Sequence, residues 1–74
     1  MFMIGRKSIV KSINVDGVRL MFHLSKNGSI YDMVIPESYI GIKSTMLNIL
    51  RGRQWDSLVT RERIINVFKE LKDE

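Results

Sequence analysis

The sequence predicts a small α+β domain, and three observations lead to that fold class. Residues 7–35 alternate apolar and polar side chains with a period of two, which is typical of strands. The dipeptides Asp16-Gly17 and Asn27-Gly28 interrupt this alternation, and both are preferred in the type I′ turns that join antiparallel strands. In the second half of the chain the apolar residues recur at helical spacing. We therefore expect a three-stranded antiparallel meander, followed by a short helix and a C-terminal helix packed on one sheet face.

The two turn dipeptides also predict the register of the sheet. Two-residue turns place these residues opposite each other: Ile13 and Leu20, Ile9 and Leu24, Leu24 and Tyr31, Phe22 and Met33, Leu20 and Ile35. One face is then almost wholly apolar. Lys11, opposite Phe22, is the exception, and an edge strand lets its ammonium group reach water.

The opposite face of the predicted sheet is mixed. Its polar members are Ser12, Asn14, Arg19, His23 and Asp32. Val10, Met21 and Val34 are neighbours on the same face, which indicates a second contact such as a homodimer through these three residues.

The helical half begins after Pro36, which ends the third strand. Residues 36–40 are expected to form a short first turn that Gly41 breaks. A second helix is expected from Lys43 to Arg51, closed by Gly52 in the C′ position. We expect Thr60 to cap the last helix, whose apolar stripe covers the sheet through Ile64, Ile65, Phe68 and Leu71.

Size and composition restrict the class of protein. The chain of 74 residues is expected to form one domain over residues 1–74, with the meander in 7–35 and the helical part in 37–73. Apolar types make up 45% of it, enough to drive folding. Residues 1–5 are too few for a signal peptide, and no stretch reaches the roughly 20 apolar residues of a membrane span. We expect a cytoplasmic protein with no membrane partner.

Side chains that carry out catalysis are scarce. The chain has no cysteine and one histidine, and it contains no phosphate-binding loop, nucleophile elbow or metal-ligand spacing. His23 faces Asp32 in the predicted register, which we interpret as a cross-strand polar pair and not as a catalytic pair. We therefore expect a non-enzyme with no catalytic residue, no cofactor and no metal.

The charge of the chain favours an acidic partner. Its formal net charge is +4, and the bases are concentrated in residues 1–53, which carry eight bases and three acids. Residues 54–74 carry four bases and five acids. A basic surface of this kind suits nucleic acid or an acidic protein, and the balance alone does not distinguish them.

The segment from Gly41 to Trp55 reads Gly-Ile-Lys-Ser-Thr-Met-Leu-Asn-Ile-Leu-Arg-Gly-Arg-Gln-Trp. It resembles the helix-turn-helix-like segments of homing-type and phage nucleases and of small phage regulators, where a Ser-Thr opening leads to Ile-Leu-x-Gly-Lys-x-Trp. The resemblance implies a helix in the major groove, a basic end on the phosphate backbone and a tryptophan that anchors the turn. The residues implied to face DNA are Lys43, Ser44, Thr45, Asn48 and Arg51, with Arg53 at a phosphate.

The spacing of these residues agrees in part. Ser44, Asn48 and Arg51 fall at i, i+4 and i+7 and share one polar stripe of a helix. Upstream, however, only residues 37–40 are available for the supporting helix of a complete helix-turn-helix. The alternative interpretation is an amphipathic helix that packs on the sheet and leaves its polar stripe in water.

Residues 54–58, Gln-Trp-Asp-Ser-Leu, resemble a degenerate form of the peptide that binds bacterial sliding clamps. Gln54 and Asp56 match that peptide, Trp55 stands where leucine is usual, and Leu58 takes the place of phenylalanine. The resemblance implies a staphylococcal-phage inhibitor of host DNA replication, bound at the clamp pocket or in its DNA channel. The alternative for Trp55 is a hydrophobic plug that closes the Gly52 turn against the last helix.

Two functional hypotheses follow. The first is a small basic phage-type protein that binds DNA through the helix at 43–51. The second is a phage protein of host takeover that inhibits the replication machinery by binding the sliding clamp, through Gln54, Trp55, Asp56 and Leu58.

Overall fold

The fold is α+β, as predicted. A computed structural model describes residues 9–73, so the predicted start of the meander at Lys7 lies outside the described residues. The sheet is antiparallel with strand order β1-β2-β3, and the helices follow it in the chain. The elements are β1 (Ile9–Val15), β2 (Val18–Leu24), β3 (Ile30–Val34), a 3-10 helix (Glu37–Ile42), α1 (Lys43–Leu50) and α2 (Leu58–Lys72).

The first hairpin has the predicted turn and register. Asp16 and Gly17 both have positive φ, 53° and 81°, as a type I′ turn requires. Val15 lies opposite Val18, and the ladder continues without a bulge to Ile9 opposite Leu24. The predicted position of Lys11 opposite Phe22 is therefore confirmed.

The second hairpin has a different turn from the one predicted. The amide of Gly28 donates to the carbonyl of Ser25 at 2.9 Å, and Gly28 has a φ of 86°. Asn27 has no positive φ, so the loop is a type I turn followed by a left-handed glycine, not a type I′ turn. This longer loop places Leu24 opposite Ile30 and adds a register shift beside His23.

The register shift changes which side chain of β3 enters the core. The predicted Leu24–Tyr31 pair is wrong, because Ile30 occupies the core position and Tyr31 is half exposed. Beyond the shift, Phe22 faces Met33 as predicted. The ladder ends with Met21 opposite Val34, so the predicted Leu20–Ile35 pair does not form within it.

The core lies between the apolar sheet face and the two α-helices. Its fully buried large side chains come from every layer and are Leu20, Phe22, Ile30, Met33, Met46, Leu50, Ile64 and Phe68. From the predicted α2 stripe, Ile65 and Leu71 are partly buried at the rim of this core. The ring of Tyr39 packs edge-on against Phe68 at 5.2 Å and so fastens the 3-10 helix to α2.

The helix boundaries correct three details of the sequence prediction. Gly41 does not break the first helical turn, because the 3-10 helix runs through it to Ile42 and leads directly into α1. Helix α1 ends at Leu50 and not at Arg51. Helix α2 is capped by Ser57, whose hydroxyl accepts a hydrogen bond from the amide of Thr60, while Thr60 itself is buried in the first turn.

Gly52 has the left-handed conformation and the position after the C-cap of α1 that were expected of it. Arg51 has φ −58° and ψ 131°, Gly52 has φ 86°, and the amide of Arg53 donates to the carbonyl of Leu50 at 3.0 Å. These angles define a type II turn with glycine at its third position. Gly52 follows the C-cap residue Arg51, so it stands in the predicted C′ position and is also the third residue of this turn.

We predict that Gly52→Ala lowers the free energy of unfolding by about 1–2 kcal/mol, because an L-residue is strained at this φ. A Cβ would meet no atom within 4 Å at Gly52 or at Gly41, so steric overlap does not contribute at either position. Gly41→Ala is the matched control, since its φ is not positive, and we expect it to be neutral or slightly stabilising. Urea denaturation followed by circular dichroism measures both, and equal losses would contradict the assigned turn.

Candidate functional site

The connection between α1 and α2, residues 51–57, runs beside the start of β3. The amide of Gly52 donates to the carbonyl of Ile30 at 2.8 Å, and the amide of Ile30 donates to the carbonyl of Arg53 at 2.9 Å. A third bond joins the amide of Trp55 to the carbonyl of Gly28 at 2.9 Å. The connection is therefore paired with β3 like a short additional strand.

Trp55 anchors this connection in the core. Its side chain is only 8% exposed, and its ring lies 5.5 Å from the ring of Phe22. The Arg61 guanidinium donates to the carbonyl of Trp55 at 2.9 Å and ties the connection to α2. Trp55 is therefore buried like the hydrophobic plug considered in the sequence analysis. Its aromatic neighbour, Phe22, lies in β2 and not in the last helix.

Helix α1 presents a polar face to solvent beside this connection. Ser44, Thr45 and Asn48 are exposed, whereas Met46, Leu47 and Leu50 are buried against the rest of the molecule. This division follows from the helical period, because the two sets lie on opposite sides of the helix. The polar side chains that the helix-turn-helix resemblance selects are thus together on one accessible face.

The three bases of this region differ in how they are held. The Lys43 ammonium lies 3.9 Å from the Asp32 carboxylate, a partly exposed pair that contributes little to stability. The Arg53 Nε donates to the carbonyl of Ile49 at 3.2 Å, which holds its stem along the end of α1. Arg51 is exposed, and among residues 9–73 no carboxylate lies within 4.0 Å of Arg51 or Arg53.

Two further lysines lie near this end of the molecule and are not among the predicted site residues. Lys11 and Lys26 line an open cavity of about 410 Å³ together with Ile9, Leu24, Asn27, Gly28, Trp55 and Asp56. The pairing of Gly28 with Trp55 brings the turn containing Lys26 next to the connection. No local sequence pattern predicts that Lys26 lies beside the connection, because the turn and the connection are far apart in the sequence.

We define the basic surface as Lys26, Lys43, Arg51 and Arg53 together with the exposed face of α1 formed by Ser44, Thr45 and Asn48. Residues 38–55 contain three bases and no acid, so the field of this surface is positive. The Asp32 carboxylate lies 3.9 Å from the Lys43 ammonium, and Asp56 lines the same cavity as Lys26.

The residues of the clamp-peptide resemblance are not presented as one free peptide. The Gln54 side-chain amide donates to the Ser29 hydroxyl at 3.2 Å, and Trp55 is buried. Asp56 is exposed, and Leu58 is 66% exposed in the first turn of α2. A peptide that inserts Gln54 and Trp55 into clamp pockets would first have to leave this fold.

The element that supports α1 differs from that of a helix-turn-helix, in which a turn separates two helices. The element before α1 is the 3-10 helix, which joins α1 without an intervening residue. The ring of Tyr39 in the 3-10 helix contacts Phe68 of α2, and α2 also contacts α1 directly.

The histidine region shows no metal-binding arrangement. His23 lies opposite Asp32 as predicted and packs against the ring of Tyr31 at 6.2 Å. The Asp32 carboxylate accepts a hydrogen bond from the amide of Met33 at 2.9 Å. Within residues 9–73 no cluster of three or more His, Asp or Glu side chains could hold a metal ion.

In the same part of the chain, no helix has both the length and the apolar character required to cross a bilayer.

Comparisons with models of protein families, with curated proteins and with solved structures give no match to this chain. The basic surface is therefore the feature from which a function is inferred.

We predict that Trp55→Ala lowers the free energy of unfolding by about 3–5 kcal/mol, the usual cost of emptying a large aromatic site in a core. Leu58→Ala is the control from the same five-residue segment, and we expect a change within about 0.5 kcal/mol because Leu58 is largely exposed. Chemical denaturation followed by circular dichroism measures both variants. A small effect at Trp55 would contradict its place in the core.

Proposed function

We propose that this chain is a small basic protein that binds duplex DNA through the basic surface, with α1 directed at a groove. The observation that supports the proposal most directly is that Arg51 and Arg53 lie beside the exposed polar face of α1 with no carboxylate neighbour among the described residues. Such an arrangement leaves the cations available to phosphates, while short polar side chains reach base edges.

The dimensions of α1 suit this role. Its eight residues give a helix about 12 Å long, and the major groove is about 12 Å wide. Ser44 and Asn48 lie one turn apart on its exposed side, so both can contact the same groove. Arg51 and Arg53 follow at the C-terminal end, where a phosphate strand bordering the groove would pass.

Rigid support favours recognition by this surface. The type II turn at Gly52 and the pairing of the connection with β3 fix the backbone that carries Arg51 and Arg53. A surface already ordered before binding loses less conformational entropy when the complex forms. The proposed role is therefore binding without chemical conversion, as a phage-type protein acting in the cytoplasm of a bacterial host.

We predict that replacing Arg51 and Arg53 together by alanine weakens duplex DNA binding about tenfold or more, because two phosphate contacts are removed. The slope of log affinity against log salt should become shallower by about 2. Fluorescence anisotropy with a labelled duplex at several salt concentrations measures both quantities.

The matched control carries the same loss of charge at a distant place. Arg19 lies on β2 near the first turn, and Lys69 lies in the last turns of α2. We expect the Arg19→Ala and Lys69→Ala double variant to keep most of the affinity. Absence of any complex between the unaltered protein and duplex DNA at low salt would refute the proposed function.

A second candidate function is supported by the exposed apolar side chains at the start of α2. Leu58 is 66% exposed and Val59 is 64% exposed, side by side at the end of the molecule that carries Arg53. Apolar side chains exposed together are typical of a protein contact. We propose as the alternative that the folded domain docks on a host replication protein, with the sliding clamp as the candidate, and so inhibits it.

For this alternative we predict that Leu58→Ala with Val59→Ala abolishes a nuclease-resistant complex with purified clamp and leaves DNA binding unchanged. If the apolar pair provides most of the binding energy for the clamp, the Arg51→Ala and Arg53→Ala double variant should keep the complex with the clamp and weaken DNA binding. Surface plasmon resonance with immobilised clamp measures both, and a complex unaffected by the Leu58 and Val59 changes would rule out this docking surface.

A further inference from the structure

The two edges of the sheet differ in how they are protected. At the β3 edge, Ile30 is hydrogen-bonded to the α1–α2 connection, and the amide of Met33 donates to the Asp32 side chain. Lys43 of α1 approaches the same Asp32. Among the described residues β1 pairs with β2 alone, so its other edge has no neighbouring strand.

The free edge of β1 is long and regular. Its seven residues contain no proline and no bulge, and Ile9 through Ser12 are all exposed. Because Val15 and Val18 close a two-residue turn, they form a hydrogen-bonded pair, and bonding toward β2 then alternates along the strand. The backbone groups of Val10, Ser12 and Asn14 therefore point toward the free edge.

We propose that a second copy of this chain pairs with β1 along this edge, antiparallel and related by a two-fold axis at Ser12. The pairing joins two three-stranded sheets into one sheet. It goes beyond the proposed function, since it requires neither DNA nor another protein.

The two-fold at Ser12 is favoured over neighbouring registers. It opposes Val10 to Asn14 of the second copy and Ser12 to its own equivalent, which gives about six backbone hydrogen bonds. All of β1 is then paired. A shift of the axis to Lys11 places the two Lys11 ammonium groups directly opposite each other, and a shift to Ile13 leaves Val10 without a partner; both arrangements form fewer hydrogen bonds.

The side chains beside the axis are compatible with a second copy. At the Ser12 axis, Lys11 faces Ile13 of the second copy, so its charge stays at the rim and its stem covers an apolar side chain. Lys11 is the only charged residue of β1, and this register does not place the two Lys11 side chains directly opposite each other. The exposed Val10 side chains of both copies lie on the outer face of the joined sheet, the face that also carries Met21 and Val34 of each copy.

The test uses charge at the two-fold axis and the full-length chain. We expect Ser12→Lys and Ser12→Glu each to weaken self-association about tenfold or more, because identical charges then meet at the axis. An equimolar mixture of the two variants should recover a dimer, since opposite charges meet. Ser38→Lys is the control with the same change at an exposed site in the 3-10 helix. Sedimentation velocity over a wide concentration series measures the association.

Three results would overturn the inference. One is a monomer mass independent of concentration for the unaltered protein. The second is a dimer that persists unchanged in both Ser12 variants, which would instead indicate association through the outer face at Val10, Met21 and Val34. The third is no recovery on mixing the two variants. Since DNA is absent from the experiment, its outcome is independent of the DNA-binding test.

Discussion

The short antiparallel pairing between residues 28–30 and residues 52–55 is the constraint on which the rest of this structure depends. It joins the end of α1 to the start of β3 through three backbone hydrogen bonds and places Trp55 on Phe22. Without it, the turn that follows α1 would have no fixed position on the sheet. The same pairing determines where Arg51 and Arg53 lie, so the proposed binding surface and the core share one set of contacts.

This sharing bears differently on the two resemblances of the segment, because their residues differ in exposure. Residues that hold the fold cannot also be released to a partner at low cost. Gln54 and Trp55 hold the connection to the sheet, whereas Ser44, Asn48 and Arg51 are exposed and available. The geometry therefore favours a partner that contacts the outside of α1 over one that extracts residues 54–58.

Much of the fold could be predicted from the sequence because it depends on local signals. Alternating apolar residues and the Asp16-Gly17 turn determine the first hairpin, and helical spacing determines α2. The second hairpin differs because Asn-Gly fits both a type I′ turn and a type I turn with a left-handed glycine, and the choice exchanges Ile30 for Tyr31 in the core. Local sequence does not distinguish these two turns.

The candidate site was less predictable for a physical reason. The exposed face of α1 follows from periodicity, but the contact of Gly28 with Trp55 joins segments distant in the chain and has no periodic signal. The place of Lys26 beside the connection and the ion pair of Lys43 with Asp32 both depend on packing between segments that are distant in the chain. The cap at Ser57 could be recognised only once the start of α2 was known, since Thr60 is an equally suitable residue type.

The closed edge of β3 has a consequence for the solubility of the protein. A sheet with two open edges can add copies at both sides and grow into a fibre. Here the α1–α2 connection and the Asp32 side chain block one side, so stacking of strands can proceed only from β1. If copies add only at β1, growth stops after one addition, so the loop that carries the arginines would also limit open-ended polymerisation.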